Sequence, residues 1–234
     1  MSRPLLLGHR GARSIHSIPE NTIPSFDRAL ADGCDGFEFD VRLTADGEAV
    51  VCHDPRVGPV EIALTSAKNL PNLPRLDDVL SRYPQAFLDI ELKVAGLEKI
   101  VADALRLHPP QRFVVSSFLP EVVQQLHDTD SAIELGLICE TQTELRHWKE
   151  LPVQHVIPHY KLATTELIDQ MKDAGKKILV WTVNSPKLIQ RFAADGVDGI
   201  ISDDVNLLCR TLQAVSGEHQ TIRGLPDRGS HRSH

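Results

Sequence analysis

Short apolar runs alternate with helix-like stretches about eight times along this chain, and that alternation restricts the fold more than any other feature. The strand-like runs are "LLLG" (5–8), "GFEFDVR" (36–42), "AFLDIEL" (86–92), "RFVVSS" (112–117), "ELGLIC" (134–139), "HVIPH" (155–159), "KILVWTV" (177–183) and "GIIS" (199–202). Helix-like stretches follow at 22–32, 76–82, 97–107, 120–128, 141–150, 164–174, 185–195 and 204–215. Eight strand–helix units in 234 residues point to an α/β fold, a (β/α)8 TIM-type barrel. An open doubly wound sheet is the alternative. It brings a glycine-rich phosphate loop after its first strand, and "GHRGAR" (8–13) is a poor version of one.

An internal echo supports repeated units. "ADGCDGFEFD" (31–40) resembles "ADGVDGIISD" (194–203). In each, Ala-Asp-Gly ends a helix, with Gly33 or Gly196 free to take the left-handed conformation. A ninth run, "EAVVCH" (48–53), follows the turn sequence "TADG" (44–47). Residues 36–53 therefore read as a hairpin inserted after the second strand, whose return brings His53 close to Glu38. Residues 54–75 carry several prolines and no period, and form an excursion at the same end of the barrel. The expected domain is one barrel over 1–216. The polar segment 217–234 is expected to be a disordered tail, with "RGSHRSH" partly vector-derived.

A formal net charge of -7 without a Lys/Arg-rich run argues against nucleic-acid binding. Attraction for an anionic substrate must then come from a metal ion or a few aimed cations. Cys34, Cys52, Cys139 and Cys209 form no CxxC pair and read as isolated core thiols of a reducing compartment. The first apolar run is too short for a signal peptide and no later one could span a bilayer, so a cytoplasmic location is expected.

Barrel active sites lie at the C-terminal ends of the strands, so charged residues should collect there. The first strand ends at His9 and Arg10. Glu38 and Asp40 are two apart and share one face of the second strand, while Phe37, Phe39 and Val41 face the outer helices. Asp89, Glu91 and Lys93 repeat the pattern on the third. The seventh ends near Trp181 and Asn184, and the eighth at Asp203. Inward carboxylates are costly to bury without partners. Glu38, Asp40 and Glu91 suggest a hard divalent cation, Mg²⁺ or Ca²⁺, with zinc disfavoured by the all-oxygen set. The competing reading pairs these acids with Arg10, Arg42 and Lys93 in a salt-bridge network. His9 and His53 form the natural acid–base pair, set against a structural role for each. His16 is a bystander that could lean into the site.

Taken together and in order, "GHRG" (8–11), "PENT" (19–22), "FEFDV" (37–41), "LTADGEAVVCHD" (43–54), "IELK" (90–93), "SSF" (116–118), "VWTVN" (180–184) and "DGIISDD" (198–204) resemble the glycerophosphodiester phosphodiesterase family. The resemblance implies a (β/α)8 barrel and metal-dependent hydrolysis of glycerophosphodiesters to sn-glycerol 3-phosphate and an alcohol. It implies that Glu38, Asp40 and Glu91 hold the metal, and that His9 and His53 are general base and acid. Arg10 and Lys93 would hold phosphate oxygens, Glu20 and Asn21 would buttress the first loop, and Phe118 and Trp181 would line the glycerol or head-group side. Water and the glycerol 2-hydroxyl are both open as nucleophile. Residues 54–75 are short and lack the family's Leu/Arg/Thr-patterned insertion. A more open mouth would admit bulkier diesters, and lysophospholipids are the alternative substrates.

Overall fold

The computed structural model describes residues 3–222, with side chains through Gln213. Its strands are β1 (Leu5–His9), β2 (Gly36–Leu43), β3 (Ala49–Val51), β4 (Arg56–Val57), β5 (Val60–Glu61), β6 (Phe87–Leu92), β7 (Arg112–Ser117), β8 (Leu135–Cys139), β9 (His155–Pro158), β10 (Lys177–Val180) and β11 (Gly199–Ser202). Its helices are α1 (Ile23–Ala31), α2 (Leu76–Arg82), α3 (Glu98–Leu107), α4 (Pro120–Thr129), α5 (Gln142–Leu145), α6 (Thr165–Asp173), α7 (Pro186–Asp195) and α8 (Val205–Ile222). Strands β1, β2 and β6 to β11 run parallel, and β1 pairs with both β2 and β11. The sheet therefore closes, and the chain is a (β/α)8 barrel; the open-sheet alternative is excluded.

Local signals start the helices where the chain leaves the barrel mouth. Thr22, Thr141 and Thr164 cap α1, α5 and α6 by accepting from backbone N–H groups. Prolines occupy the first turns of α1, α4 and α7, where their missing N–H costs nothing.

Alternation along β2 builds two layers. Outward, Phe37 stacks on Phe26 of α1 with ring centroids 4.2 Å apart, and Tyr83 meets Phe37 edge-on at 5.1 Å. Inward, Leu7, Phe87, Val114, Ile138, Ile157, Leu179 and Ile201 form an apolar plug inside the barrel. The charged inward residues sit above this floor, towards the strand ends.

The repeated joints perform the same task. Gly33 (φ 104°) and Gly196 (φ 71°) turn the chain out of α1 and α7. Asp35 then accepts from Leu6 N–H through its carboxylate and donates its own N–H to Leu6 O, both at 2.8 Å. Asp198 makes the same two bonds with Ile178, again at 2.8 Å. Each aspartate clamps its strand to the neighbouring one.

Three details differ from the sequence expectation. The strand expected over 177–183 stops at Val180, and Trp181 forms a single bridge with His159 as the chain leaves the sheet. The helix expected over 141–150 is α5 followed by a 3-10 turn over Arg146–Lys149, because Pro152 disfavours helical conformation at Leu151. The excursion 54–75 is not featureless: β4 and β5 form a small antiparallel pair, followed by 3-10 turns at Ile62–Leu64 and Ala67–Asn69. The hairpin 36–53 is present, with Val41 opposite Val51 and Leu43 opposite Ala49. The tail expected from 217 overlaps the end of α8, and residues 223–234 lie outside the described ones. Among the described residues no helix is long and apolar enough to cross a membrane.

Candidate active site

Barrel closure brings the acids of β2 and β6 side by side. The register sets Glu38 beside Asp89 and Asp40 beside Glu91. One oxygen from each of Glu38, Asp40 and Glu91 lies within 4.8 Å of the others, and all three residues are buried. Glu38 Oε1 accepts no hydrogen bond, and neither does Asp40 Oδ1, although Lys93 Nζ stands 3.4 Å from the latter. Burial, aided by the neighbouring carboxylates, pushes Glu38 well above the usual range and Glu91 to about 7. Burial also works against the Asp40 carboxylate, but Lys93, Arg10 and Asn21 overcome it and hold Asp40 down.

The expected salt-bridge network exists, but it is incomplete. Lys93 Nζ lies 2.6 Å from Glu91 Oε1, and Arg10 Nε 3.2 Å from Asp40 Oδ2. Among the described residues Glu38 has no Lys or Arg ion-pair partner; it accepts Arg10 N–H at 3.0 Å and faces His9 Nε2 at 3.8 Å. Arg42 does not join: its Nε donates to His53 O at 2.7 Å. Three buried carboxylates, two of them with an oxygen that accepts no hydrogen bond, form an all-oxygen donor set that suits a hard divalent cation. The cluster could hold one, and the two basic residues supply only part of the compensation.

The first loop is built around this cluster. Arg10 (φ 51°) and Asn21 (φ 57°) are the non-glycine residues with positive φ among those described. They hold each other: Asn21 N–H donates to Arg10 O at 3.0 Å, and Ser25 Oγ donates to the same oxygen at 3.0 Å. Asn21 Nδ2 donates to Asp40 Oδ2 at 2.7 Å, and Arg10 Nη1 to Glu20 Oε1 at 2.7 Å. The "PENT" segment thus ties the loop to the carboxylates. The backbone strain at Arg10 and Asn21 persists because these bonds over-determine it.

His9 ends β1 with its Nδ1 2.7 Å from Asp203 Oδ1. Asp203 is kept ionised, with its carboxyl at about 2: burial raises it, but the bonds from His9 and Asn184 win. A carboxylate accepts from Nδ1–H and leaves Nε2 unprotonated, facing the cavity. Burial holds the His9 imidazole below its ordinary value, with Asp203 opposing. His53 arrives from the hairpin. Cys52 N–H bonds Asp40 O at 3.0 Å, so the return strand stays paired as far as Asp40, and His53 lines the same cavity as Glu38. The His53 ring is half-exposed, with Nδ1 2.7 Å from Asp54 Oδ1.

These side chains converge. His9, Arg10, Glu38, His53, Glu91, Lys93, Phe118 and Trp181 all line one cavity of about 270 Å³, and Asp40 is the one proposed site residue buried behind it. Phe118 and Trp181 form its apolar wall, ring to ring at 5.6 Å and nearly perpendicular. Trp181 Nε1 donates to Ile157 O at 2.9 Å, which fixes the indole. His16 is exposed and does not line the cavity, so it does not lean into the site. A larger opening of about 880 Å³ lies at the starts of the strands, around Arg112, His155 and Lys177, and gathers no comparable carboxylate cluster.

Sequence reading set Asn184 and Asp203 at the barrel mouth without a role, and did not single out Arg13 or Glu140. Arg13 binds Glu20 at 2.7 Å and approaches Asp203 at 3.3 Å. Asn184 Nδ2 donates to Asp203 Oδ2 at 2.6 Å, while its Oδ1 accepts from Asp203 N–H at 2.9 Å. Glu140, just past β8, lines the cavity opposite the histidines. The visible signals were the asparagine ending "VWTVN" and the aspartate ending "DGIISD".

Comparison with known proteins agrees with this geometry. The glycerophosphoryl diester phosphodiesterase family profile matches residues 9–78 and 83–207. A glycerophosphodiester phosphodiesterase of Caldanaerobacter subterraneus is 28% identical, over 88% of this chain and 96% of its own. The crystal structure of a glycerophosphodiester phosphodiesterase from Parabacteroides distasonis superposes with a TM-score of 0.80 at 26% identity, covering 93% of this chain and 99% of that one. An Oleispira antarctica phosphodiesterase, solved in complex with the product sn-glycerol-3-phosphate, shares the fold with a TM-score of 0.80 at 24% identity, over 90% of this chain and 97% of its own.

Proposed function

The chain belongs to the glycerophosphoryl diester phosphodiesterase family, and from that premise we propose that it hydrolyses glycerophosphodiesters to sn-glycerol 3-phosphate and an alcohol. The observation that carries this reading is the meeting of His9 and His53 with the Glu38–Asp40–Glu91 cluster in one cavity. Glu38, Asp40 and Glu91 hold a divalent cation, Mg²⁺ or Ca²⁺. When bound, it supplies positive charge against the phosphoryl oxygens as negative charge develops on them.

The remaining chemistry belongs to the side chains. Lys93 and Arg10 orient the phosphate from the β6 and β1 sides. His9 is the general base: its Nε2 lone pair takes the proton of the attacking hydroxyl, while Asp203 stabilises the imidazolium that forms. His53 is the general acid: with Nδ1–H donated to Asp54, its Nε2–H delivers a proton to the leaving alkoxide. If the glycerol 2-hydroxyl attacks first, the two histidines exchange roles to open the cyclic phosphate with water. Phe118 and Trp181 exclude water from the carbon skeleton. A cavity of about 270 Å³ suits a small glycerophosphodiester better than a lysophospholipid with its acyl chain. The reading includes a single barrel domain over 1–216 and a cytoplasmic location.

The test is release of sn-glycerol 3-phosphate from glycerophosphocholine and glycerophosphoethanolamine with Mg²⁺, with Ca²⁺ and with EDTA. Metal-dependent release is expected. Undiminished release in EDTA would remove the cation from the proposal. No release with either metal, alongside turnover of lysophospholipid, would replace the substrate class.

A further inference from the structure

Two cysteines far from the catalytic cavity, and far apart in sequence, touch. Cys34 lies in the joint between α1 and β2, where its N–H donates to Ala29 O at 3.1 Å. Cys209 lies on α8. Their Sγ atoms are 3.9 Å apart across 175 positions of sequence, and both residues are buried, 8% and 2% exposed. The expectation of four isolated thiols is therefore corrected for this pair.

A cation completes the setting. Arg3 grips Asp35 through both carboxylate oxygens, at 2.7 and 2.8 Å, and its charge reaches both thiols. The hydrogen bond between the sulfurs pushes the Cys34 thiol up and, with help from Arg3, holds Cys209 down. Either sulfur can donate to the other, so a thiolate at one is met by the S–H of its partner and by the Arg3 charge. A disulfide needs about 2.05 Å between sulfurs, roughly 1.9 Å less than the present separation.

We propose that Cys34 and Cys209 are a redox-active dithiol that a hydroperoxide closes to a disulfide, stapling the last helix to the first helix–strand joint. The thiolate of one member of the pair attacks the terminal peroxide oxygen, the O–O bond breaks, and that sulfur becomes a sulfenic acid as the peroxide is reduced to hydroxide or alkoxide. The partner sulfur then attacks the sulfenic sulfur, its proton leaves with the departing hydroxide, and water is released. Two thiols are oxidised by two electrons and one peroxide is reduced by two. The bond links the first and last units of the barrel, where the ring closes. α8 follows Asp203 almost directly, so the staple also anchors the segment that orients His9.

The test treats the full chain with hydrogen peroxide, then measures intact mass, thiol content under denaturing conditions, a peptide map and Tm. The expected result is a mass loss of about 2 Da, a fall from four free thiols to two, a peptide joining Cys34 to Cys209, and a Tm higher by about 5–10 °C that dithiothreitol reverses. The double variant Cys52→Ser/Cys139→Ser should behave identically, and Cys209→Ser should give no intramolecular bond. An unchanged thiol count, a bond mapping to Cys52 or Cys139, or a bond that survives Cys209→Ser would overturn the proposal.

Discussion

His9 Nδ1 stands 2.7 Å from Asp203 Oδ1, across the seam where β11 closes onto β1. Asp203 raises the imidazole's affinity for a proton while burial lowers it. Asp203→Asn should therefore move the His9-governed limb of the kcat/KM pH profile to lower pH. It should also lower kcat about 10–100-fold, since the amide no longer stabilises the imidazolium. A pH–rate series on the two proteins reads both effects, and an unmoved limb would show that Asp203 does not act through His9.

His9→Ala and His53→Ala should each reduce kcat by about 10²–10⁴-fold, the usual contribution of a positioned acid or base. Neither should abolish cation binding, because neither belongs to the carboxylate cluster. Turnover assays beside calorimetric titration with Mg²⁺ or Ca²⁺ separate the two properties.

The carboxylate cluster makes a prediction about heat stability. A cation at about 100 times its Kd should raise Tm by about 5–10 °C in the wild type. Glu38→Gln should lose most of that increment, because Glu38 offers an oxygen that nothing else binds. Thermal melts with and without EDTA decide it; an equal increment in both proteins would remove Glu38 from the ligand set.

Asp89 gives the clearest pH dependence of stability. It is fully buried, accepts from Ser116 Oγ at 2.6 Å, and leaves Oδ2 without a partner. Burial raises its carboxyl to about 7, above the ordinary value of 3.8. The folded state then holds a proton that the unfolded state releases, so this group costs stability as pH rises from about 4 to about 7. In the metal-free protein Asp89→Asn should be stabilising at pH 8, by at most about 4 kcal/mol, and near neutral at pH 4. Denaturant melts at the two pH values test the sign.

Gly8→Ala should disable the first loop while leaving the barrel folded. An added Cβ would fall 2.3 Å from Gly11 O and 3.0 Å from Ala29 Cβ, so the turn carrying Arg10 must shift. The expected outcome is a loss of kcat of about 10²-fold with near-normal far-UV circular dichroism, since a displacement of about 1 Å in a positioning group has that effect.

Much of the fold was legible because its determinants are local. The period-two alternation of "FEFDV" and "LDIELK" set which residues face the helices and which face inward, and the Ala-Asp-Gly joints marked where α1 and α7 end. The strand after "KILV" was overextended, since nothing local reveals that Trp181 leaves the sheet to seat its indole on Ile157 O. His53 was expected close to Glu38 by counting from the turn, and the two line the same cavity. The ladder itself sets Cys52 across from Asp40, since the register of a hairpin depends on which pairs close.

The sequence by itself determined the barrel, the inward carboxylates and the family, because periodicity and ordered motifs depend only on neighbours along the chain. Tertiary structure alone decided who holds whom. It aligned His9 with Asp203, divided Arg10 between Glu20 and Asp40, left Glu38 without a cationic side chain, and brought Cys34 against Cys209. Each of these contacts joins segments that meet only once the sheet has closed on itself, and closure is a property of all eight strands together.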